Sequence, residues 1–272
     1  MRCPRCGSAT ITTRPERTLQ GYRRFRCRGC GKQFNERTGG QLNRAQYPSD
    51  IIALVVLWRL RDKLSLRDLS EMFLGRGIVF SHEAVRTWEA KLAPALMDEL
   101  RRRRHGRAGR SWYVDETYIK VCGRWCYLYR AIDRAGNLVD VRLSETRDLA
   151  AAEAFFRSAK SVTGTAPERI TTDGHDAYPR AIRAAFGAAV QHRTNAYLNN
   201  HLEQNHRGIK DRSRPLRGFE SVASAARFCR AYDELRYFSR VRRQRRESVS
   251  ADRRRIIQLR RTATALAILV AA

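Results

Sequence analysis

The sequence predicts an α/β fold in which a mixed sheet with helices follows a small cysteine-built ribbon and a helical segment. Three observations predict it. Four cysteines fall in two Cys-x-x-Cys pairs within the first thirty residues, helical periodicity begins near Ser49, and from Ser111 the pattern changes to strands that later alternate with helices. The expected division is a ribbon over 1–38, a helix-turn-helix segment over 39–100, a basic linker over 101–110, the α/β domain over 111–246 and a basic then apolar tail over 247–272.

Cys3-Pro-Arg-Cys6 and Cys27-Arg-Gly-Cys30 are each followed by glycine, Gly7 and Gly31. A tight turn at each pair brings its two thiolates onto one side of a tetrahedral cation, and the glycine relieves crowding where backbone N–H groups point at sulfur. The spacing predicts that Cys3, Cys6, Cys27 and Cys30 hold a structural Zn²⁺. A segment this short buries too little apolar surface to fold unaided, so the metal would supply its folding energy. Thr10 to Thr13 and Tyr22 to Arg26 are the expected strands of this zinc ribbon.

Ser49 to Leu60 carries Ile51, Ile52, Val55, Val56 and Leu60 at helical spacing. Ser65 and Asp68 form a capping-box-like pair opening a second helix that runs to the Gly75-Arg-Gly77 break. Ser81 caps a third, with Val85, Trp88 and Leu92 on one face and Pro94 expected to end it. Helix, glycine-containing turn and helix is the helix-turn-helix arrangement, with Arg86 and Thr87 the candidate groove contacts. A plain helical subdomain has the same pattern, and the basic surroundings and the ribbon favour the DNA-binding reading.

Arg101 to Arg110 is a polar charge run without apolar period, read as a linker that is either simply solvated or a basic tether gripping phosphates. Strands are then expected at Trp112 to Val121, Trp125 to Ile132 and Asn137 to Leu143, a helix over Asp148 to Lys160, a short strand Arg169 to Thr172, a helix over Ala177 to Phe186, and helices from Asn200 and Ser221.

Lys and Arg number 54 against 27 Asp and Glu, a formal net charge of +27. Such a chain repels itself unless a polyanion neutralises it, and the commonest polyanion is nucleic acid. Only six of the bases are Lys. No apolar stretch follows Met1, and the apolar run Ala263 to Ala272 is about half of the ~20 residues that span a bilayer. The expectation is a cytoplasmic, nucleoid-associated protein with no membrane partner and reduced or metal-bound cysteines.

Two-metal phosphoryl chemistry needs carboxylates from different elements converging on cations ~3.5–4 Å apart. Asp115 lies within the first strand of the α/β domain, Asp173 ends the short later strand, and Glu203 lies in the helix from Asn200. Neighbouring strand residues face opposite sides, so Asp115 rather than Glu116 is expected in the site. Asp133, Asp140 and Asp176 are rivals by position. Arg207 and Lys210 share the face of Glu203 with His206, which would set bases beside a DNA phosphate.

Val114-Asp115-Glu116-Thr117-Tyr118-Ile119-Lys120, Gly123-x-Trp125, Tyr127-Leu128-Tyr129-Arg130-Ala131-x-Asp133, Thr172-Asp173 and Tyr197-Leu198-Asn199-Asn200-x-x-Glu203-Gln204-x-His206-x-x-Ile209-Lys210 resemble the DDE-type transposases of bacterial insertion sequences, in the group numbered six. The resemblance covers about Ser111 to Arg240; only some relatives carry an N-terminal ribbon. It implies a ribonuclease H-like catalytic domain, with Asp115, Asp173 and Glu203 as the metal-binding acids and Lys210 as the basic residue after the Glu. It also implies two Mg²⁺ ions, which Mn²⁺ replaces, terminal inverted repeats and target DNA as partners, and cutting and joining of strands during transposition and recombination. At least a dimer is expected, because two DNA ends are handled at once. The stretch from Asp173 to Glu203 is several residues shorter than usual in that group and reads as a trimmed loop around Gly187. The residues alone leave two alternatives: a non-catalytic zinc-ribbon and helix-turn-helix regulator, and a nuclease of the same fold that cuts without joining.

Trp125, Tyr127 and Tyr129 alternate along a central strand and are read as core rather than as base-stacking groups. Cys122, Cys126 and Cys229 are read as structural, and His192 and His206 as dispensable to metal-based chemistry. The cluster Arg240, Arg242, Arg243, Arg245 and Arg246 fits either a solvated helix face or a DNA-backbone contact.

Overall fold

In the computed structural model, which describes residues 1–62, 64–195, 207–211, 219–241 and 249–272, the chain opens with a three-stranded antiparallel sheet: β1 (Ile11–Arg17), β2 (Arg23–Cys27) and β3 (Gln33–Asn35). Its apolar content is Phe25 against Phe34, ring centroids 5.4 Å apart, beside Cys3 and Cys27.

Three helices follow, α1 (Ser49–Arg61), α2 (Leu66–Leu74) and α3 (His82–Arg104). The local stop and start signals act as the sequence predicts: Ser65 and Asp68 form a reciprocal capping box, and the Ser81 hydroxyl accepts from Ala84 N–H. Pro94 does not end α3, which continues to Arg104. A proline inside a helix costs about 3 kcal/mol, but Leu92, Leu96 and Leu100 continue one buried stripe into the core shared with α1 and the C-terminal helices, and this packing outweighs it.

The expectation of a linker from residue 101 is therefore corrected for its first four residues. Arg104 is buried and donates to both carboxylate oxygens of Glu234 (2.7 and 2.6 Å) and to the carbonyls of Leu138 and Val139. Arg101 reaches Glu234 at 3.0 Å and Asp140 at 2.9 Å. Buried, paired guanidinium groups fasten the helical segment to the sheet.

That sheet has five strands in the order β6-β5-β4-β7-β8: β4 (Ser111–Val121), β5 (Arg124–Asp133) and β6 (Leu138–Ser144) form an antiparallel meander, and β7 (Arg169–Thr172) and β8 (Gln191–Thr194) run parallel to β4. α4 (Leu149–Thr163), capped by Asp148, and α5 (Ala177–Phe186) cover one face through Phe155, Phe156, Tyr178 and Ile182 on Trp112, Val114 and Tyr129. On the other face Ile119, Val121, Cys126 and Leu128 meet α6 (Val222–Ser239), which Ser221 caps. The sheet order with crossover helices is that of ribonuclease H-like domains. β8 and β3 are additions to the expected strands, and the turn at Gly187 that leads to β8 is short.

The final helix, α7 (Ala251–Ala271), docks on α1, α3 and α6 with Ala265 and Leu269 buried. Among the described residues no helix is long and apolar enough to cross a membrane.

Candidate active site

β4 and β7 are parallel neighbours with Tyr113 opposite Thr171, and continuing that register by two residues brings Asp115 beside Asp173. Asp173 ends β7 and is followed by Gly174, whose φ of +98° suits glycine; a Cβ there would lie 2.4 Å from the Thr194 side chain. This turn holds the Asp173 carboxylate at the strand end, where Oδ1 accepts from His175 N–H.

Carboxylate oxygens of Asp115, Glu116 and Asp173 lie within 4.8 Å of one another. The expectation that Glu116 faces away from the site is thus corrected. Its side chain does leave the opposite side of β4, but the Asp115 carboxylate turns along its own strand to accept from Glu116 N–H (2.9 Å), and the longer Glu116 side chain closes the remaining distance. Burial, then the neighbouring charges of Glu116 and Asp173, push the Asp115 carboxyl up to about 7.

The cluster carries its own cation. Arg147, just before the Asp148 cap of α4, pairs through Nε with Glu116 and through its terminal nitrogen with Asp173 at 3.2 Å. Tyr178 of α5 donates its hydroxyl to Glu116; burial, then the Glu116 charge, holds that phenol well above its usual range, so it stays a donor. Neither Arg147 nor Tyr178 stands out among the arginines and tyrosines of the sequence, and the signal for Glu116 was only its adjacency to Asp115.

Three oxygen-bearing side chains on rigid elements suit a hard divalent cation. Two of the three rivals are otherwise engaged, and the third stands apart from the cluster. Asp133 accepts from the backbone of Gly109, Ala135 and Asn137; Asp140 pairs with Arg101 and with Ser158 (2.5 Å); Asp176 stands at the start of α5. His192 contacts the Thr172 hydroxyl at 2.9 Å, and burial lowers its pKa. Glu203, His206 and Arg242 to Arg246 lie outside the described residues. Arg207 and Lys210 are exposed on the helical stretch 207–211, anchored by buried Ile209. On α3, Thr87 is exposed, whereas Arg86 is engaged by Glu83 and Glu220.

In the ribbon the four thiols converge, with Cys3 and Cys30 sulfurs 3.7 Å apart and Cys6 and Cys27 sulfurs 3.5 Å apart. Tetrahedral ligands at a Zn–S distance of ~2.3 Å would lie about 3.8 Å from one another, so the cluster fits zinc. The Cys30 backbone N–H draws the Cys27 thiol down to about 6, toward the thiolate a metal needs.

The fold and the acidic cluster define the class, a ribonuclease H-like domain with three carboxylates placed where a divalent cation could be held. The family model described as a DDE domain, of the IS240 transposase group, matches residues 109–242. The transposase of insertion sequence element IS257 in transposon Tn4003 from Staphylococcus aureus is 39% identical over 171 residues, 61% of this chain and 75% of that protein. The transposase of the IS431mec element from S. aureus strain Mu50 matches with the same identity and coverage. Among solved structures, the HTLV-2 integrase catalytic core domain in complex with magnesium is 20% identical, covering 39% of this chain and 71% of that one at a TM-score of 0.33. The chain belongs to the DDE transposase family of bacterial insertion sequences, metal-dependent enzymes that cleave and transfer DNA strands.

Proposed function

We propose that this transposase binds the terminal inverted repeats of its element and performs two-metal strand cleavage and transfer with Asp115, Asp173 and Glu203 as the acids. The observation that carries the reading is the convergence of Asp115 and Asp173 from adjacent parallel strands, with Glu116 beside them. Mg²⁺ is the natural occupant of an all-carboxylate site, and Mn²⁺ shares its ligand preference. Cations held there neutralise charge on the attacking and leaving oxygens of the phosphodiester. The chain's own part is positional. The strands fix the two Asp carboxylates, Tyr178 and Arg147 fix Glu116, and Arg207 and Lys210 approach the phosphates. A water oxygen opens the phosphodiester to free a 3′-hydroxyl, which then attacks target DNA in line, with no covalent protein–DNA bond.

The ribbon, with structural Zn²⁺ on Cys3, Cys6, Cys27 and Cys30, and the helical segment, through Thr87 and Arg86, would hold the element's ends, at least a dimer bringing two ends together on the nucleoid in the cytoplasm. The test is a cleavage and joining assay on DNA carrying the gene's own flanks, with Mg²⁺ or with EDTA, the EDTA arm being repeated with Zn²⁺ restored so that loss of the ribbon's metal is told apart from loss of Mg²⁺. Asp173→Asn and Glu203→Gln are expected to abolish joined product while leaving DNA binding intact. Metal-dependent cutting without joining would replace the reading with a nuclease, and loss of binding together with cutting would overturn the assigned roles.

A further inference from the structure

The β4–β5 hairpin has two unlike faces. On the face toward α6, burial continues to the tip: Ile119, Val121, Cys126 and Leu128 are all in the core. On the face that carries Glu116 burial fades along the strand, from Val114 to Tyr118 at 47% exposed and then exposed Lys120. The partner strand does the same, from buried Tyr129 through half-buried Tyr127 to Trp125 at 61% exposed. Trp125 is therefore not core, contrary to the alternation argument, because alternation identifies a face and not whether anything covers it.

The exposed groups are ordered. Cross-strand register sets Glu116 opposite Tyr129, Tyr118 opposite Tyr127 and Lys120 opposite Trp125. Tyr118 lies with its ring 5.3 Å from Tyr127 and edge-on to Trp125 at 6.4 Å, and the Lys120 ammonium sits 5.8 Å from the Trp125 centroid. A two-residue turn, Cys122-Gly123 with φ of +47° and +78°, closes the hairpin, and its buried back holds it to α6. The platform starts two residues, about 7 Å, from Glu116 of the acidic cluster.

We propose that Trp125, Tyr118 and Tyr127 form a stacking platform for unpaired DNA bases beside the scissile phosphate, with Lys120 contacting the backbone. Charge complementarity with a +27 chain selects a polyanion, and flat, exposed aromatic rings with an adjacent cation select a single-stranded one, since paired bases present no free π-face. The inference rests on the transposase reading and adds to it a local opening of the duplex at the cut.

The experiment measures binding of a short oligothymidylate and of a duplex to the full zinc-loaded chain in Mg²⁺-free buffer without chelator, by anisotropy, for the native protein and for Trp125→Ala, Trp125→Phe, Tyr118→Ala and Lys120→Ala. Stacking contributes about 1–3 kcal/mol per base, so Trp125→Ala and Tyr118→Ala are expected to weaken the single strand about tenfold each, with Phe restoring most of the loss. For the aromatic variants duplex affinity and the melting temperature should stay unchanged, and Lys120→Ala should lower the salt slope of single-strand binding by about 0.7. Unchanged single-strand affinity in both Ala variants would overturn the proposal, as would parallel loss of single-strand and duplex binding. A Trp125→Ala change that alters only self-association would assign the patch to a second copy instead. Because leaving out Mg²⁺ removes the chemistry but not the fold, a protein that stacks but never joins DNA when Mg²⁺ is added would refute the strand-transfer reading and leave the platform standing; one that joins DNA while both Ala variants keep single-strand affinity would do the reverse.

Discussion

Replacing Glu234 by Ala removes the one carboxylate that both Arg101 and Arg104 share. Glu234 is 1% exposed and accepts three hydrogen bonds of 2.6–3.0 Å, two from Arg104 and one from Arg101. In the native chain burial pulls the Arg104 guanidinium down and Glu234 outweighs it; in the variant that support is gone, and a guanidinium that does not give up its proton is left charged in the interior. Breaking a buried pair by deleting one partner costs about 3–5 kcal/mol, because the other charge is left uncompensated. At roughly 2–4 °C per kcal/mol for a chain approaching this size, the melting temperature should fall by roughly 6–20 °C. The control is Glu168→Ala, which breaks the Arg110–Glu168 pair, where both side chains are 69% exposed; its cost should stay below about 1 kcal/mol. Thermal and urea unfolding followed by circular dichroism give both numbers, and limited proteolysis near residue 105 should accelerate only in the Glu234 variant. Equal melting temperatures for the two variants would refute the claim that this network fastens the helical segment to the sheet.

Arg147→Ala removes the cation between Glu116 and Asp173; the metal-free protein should lose about 1–3 kcal/mol, and Mg²⁺ should raise its melting temperature more than that of the native chain, with equal rises counting against a counter-cation role. The Asp115 carboxyl is raised from 3.8 to about 7 by burial and like charge, so in Mg²⁺-free buffer its contribution to stability is present below pH ~4 and lost as pH rises through about 7. Melting temperatures across that window should show a slope that Asp115→Asn flattens, and an unchanged slope would exclude Asp115 as its source. Purified protein should carry about one equivalent of zinc, released by a thiol-reactive mercurial; Cys27→Ser should lose the metal and the ribbon while the sheet's circular dichroism persists, and a ribbon that stays folded without metal would contradict its role.

Features resting on a few adjacent residues were legible in the sequence. The Ser65–Asp68 box, the Ser81 cap, the helix start at Ser221, the two Cys-x-x-Cys turns and the strand ending at Asp173 each depend on backbone groups within about one turn of the side chain. Features resting on distant partners were not. Pro94 reads locally as a stop, yet the helix passes through it because Leu96 and Leu100 find a core. Arg101 and Arg104 read as solvent-exposed until Glu234, 130 residues further along for Arg104, supplies their carboxylate. Arg147 meets Glu116 and Asp173 only when the Asp148 cap of α4 comes to rest at the sheet.

By itself the sequence predicted the four cysteines that converge in the ribbon, the capped starts of the second and third helices, the antiparallel meander and the two strands that bring Asp115 and Asp173 together, along with the family to which their motifs belong. Only the tertiary structure decided that Glu116 joins those acids, that Arg147 neutralises them and that Trp125 stands in the open. Capping, turn geometry and strand alternation are short-range consequences of backbone hydrogen bonding and side-chain periodicity. Counter-charge and burial depend on which surfaces the folded chain brings together, and periodicity along one strand carries no information about what packs against it.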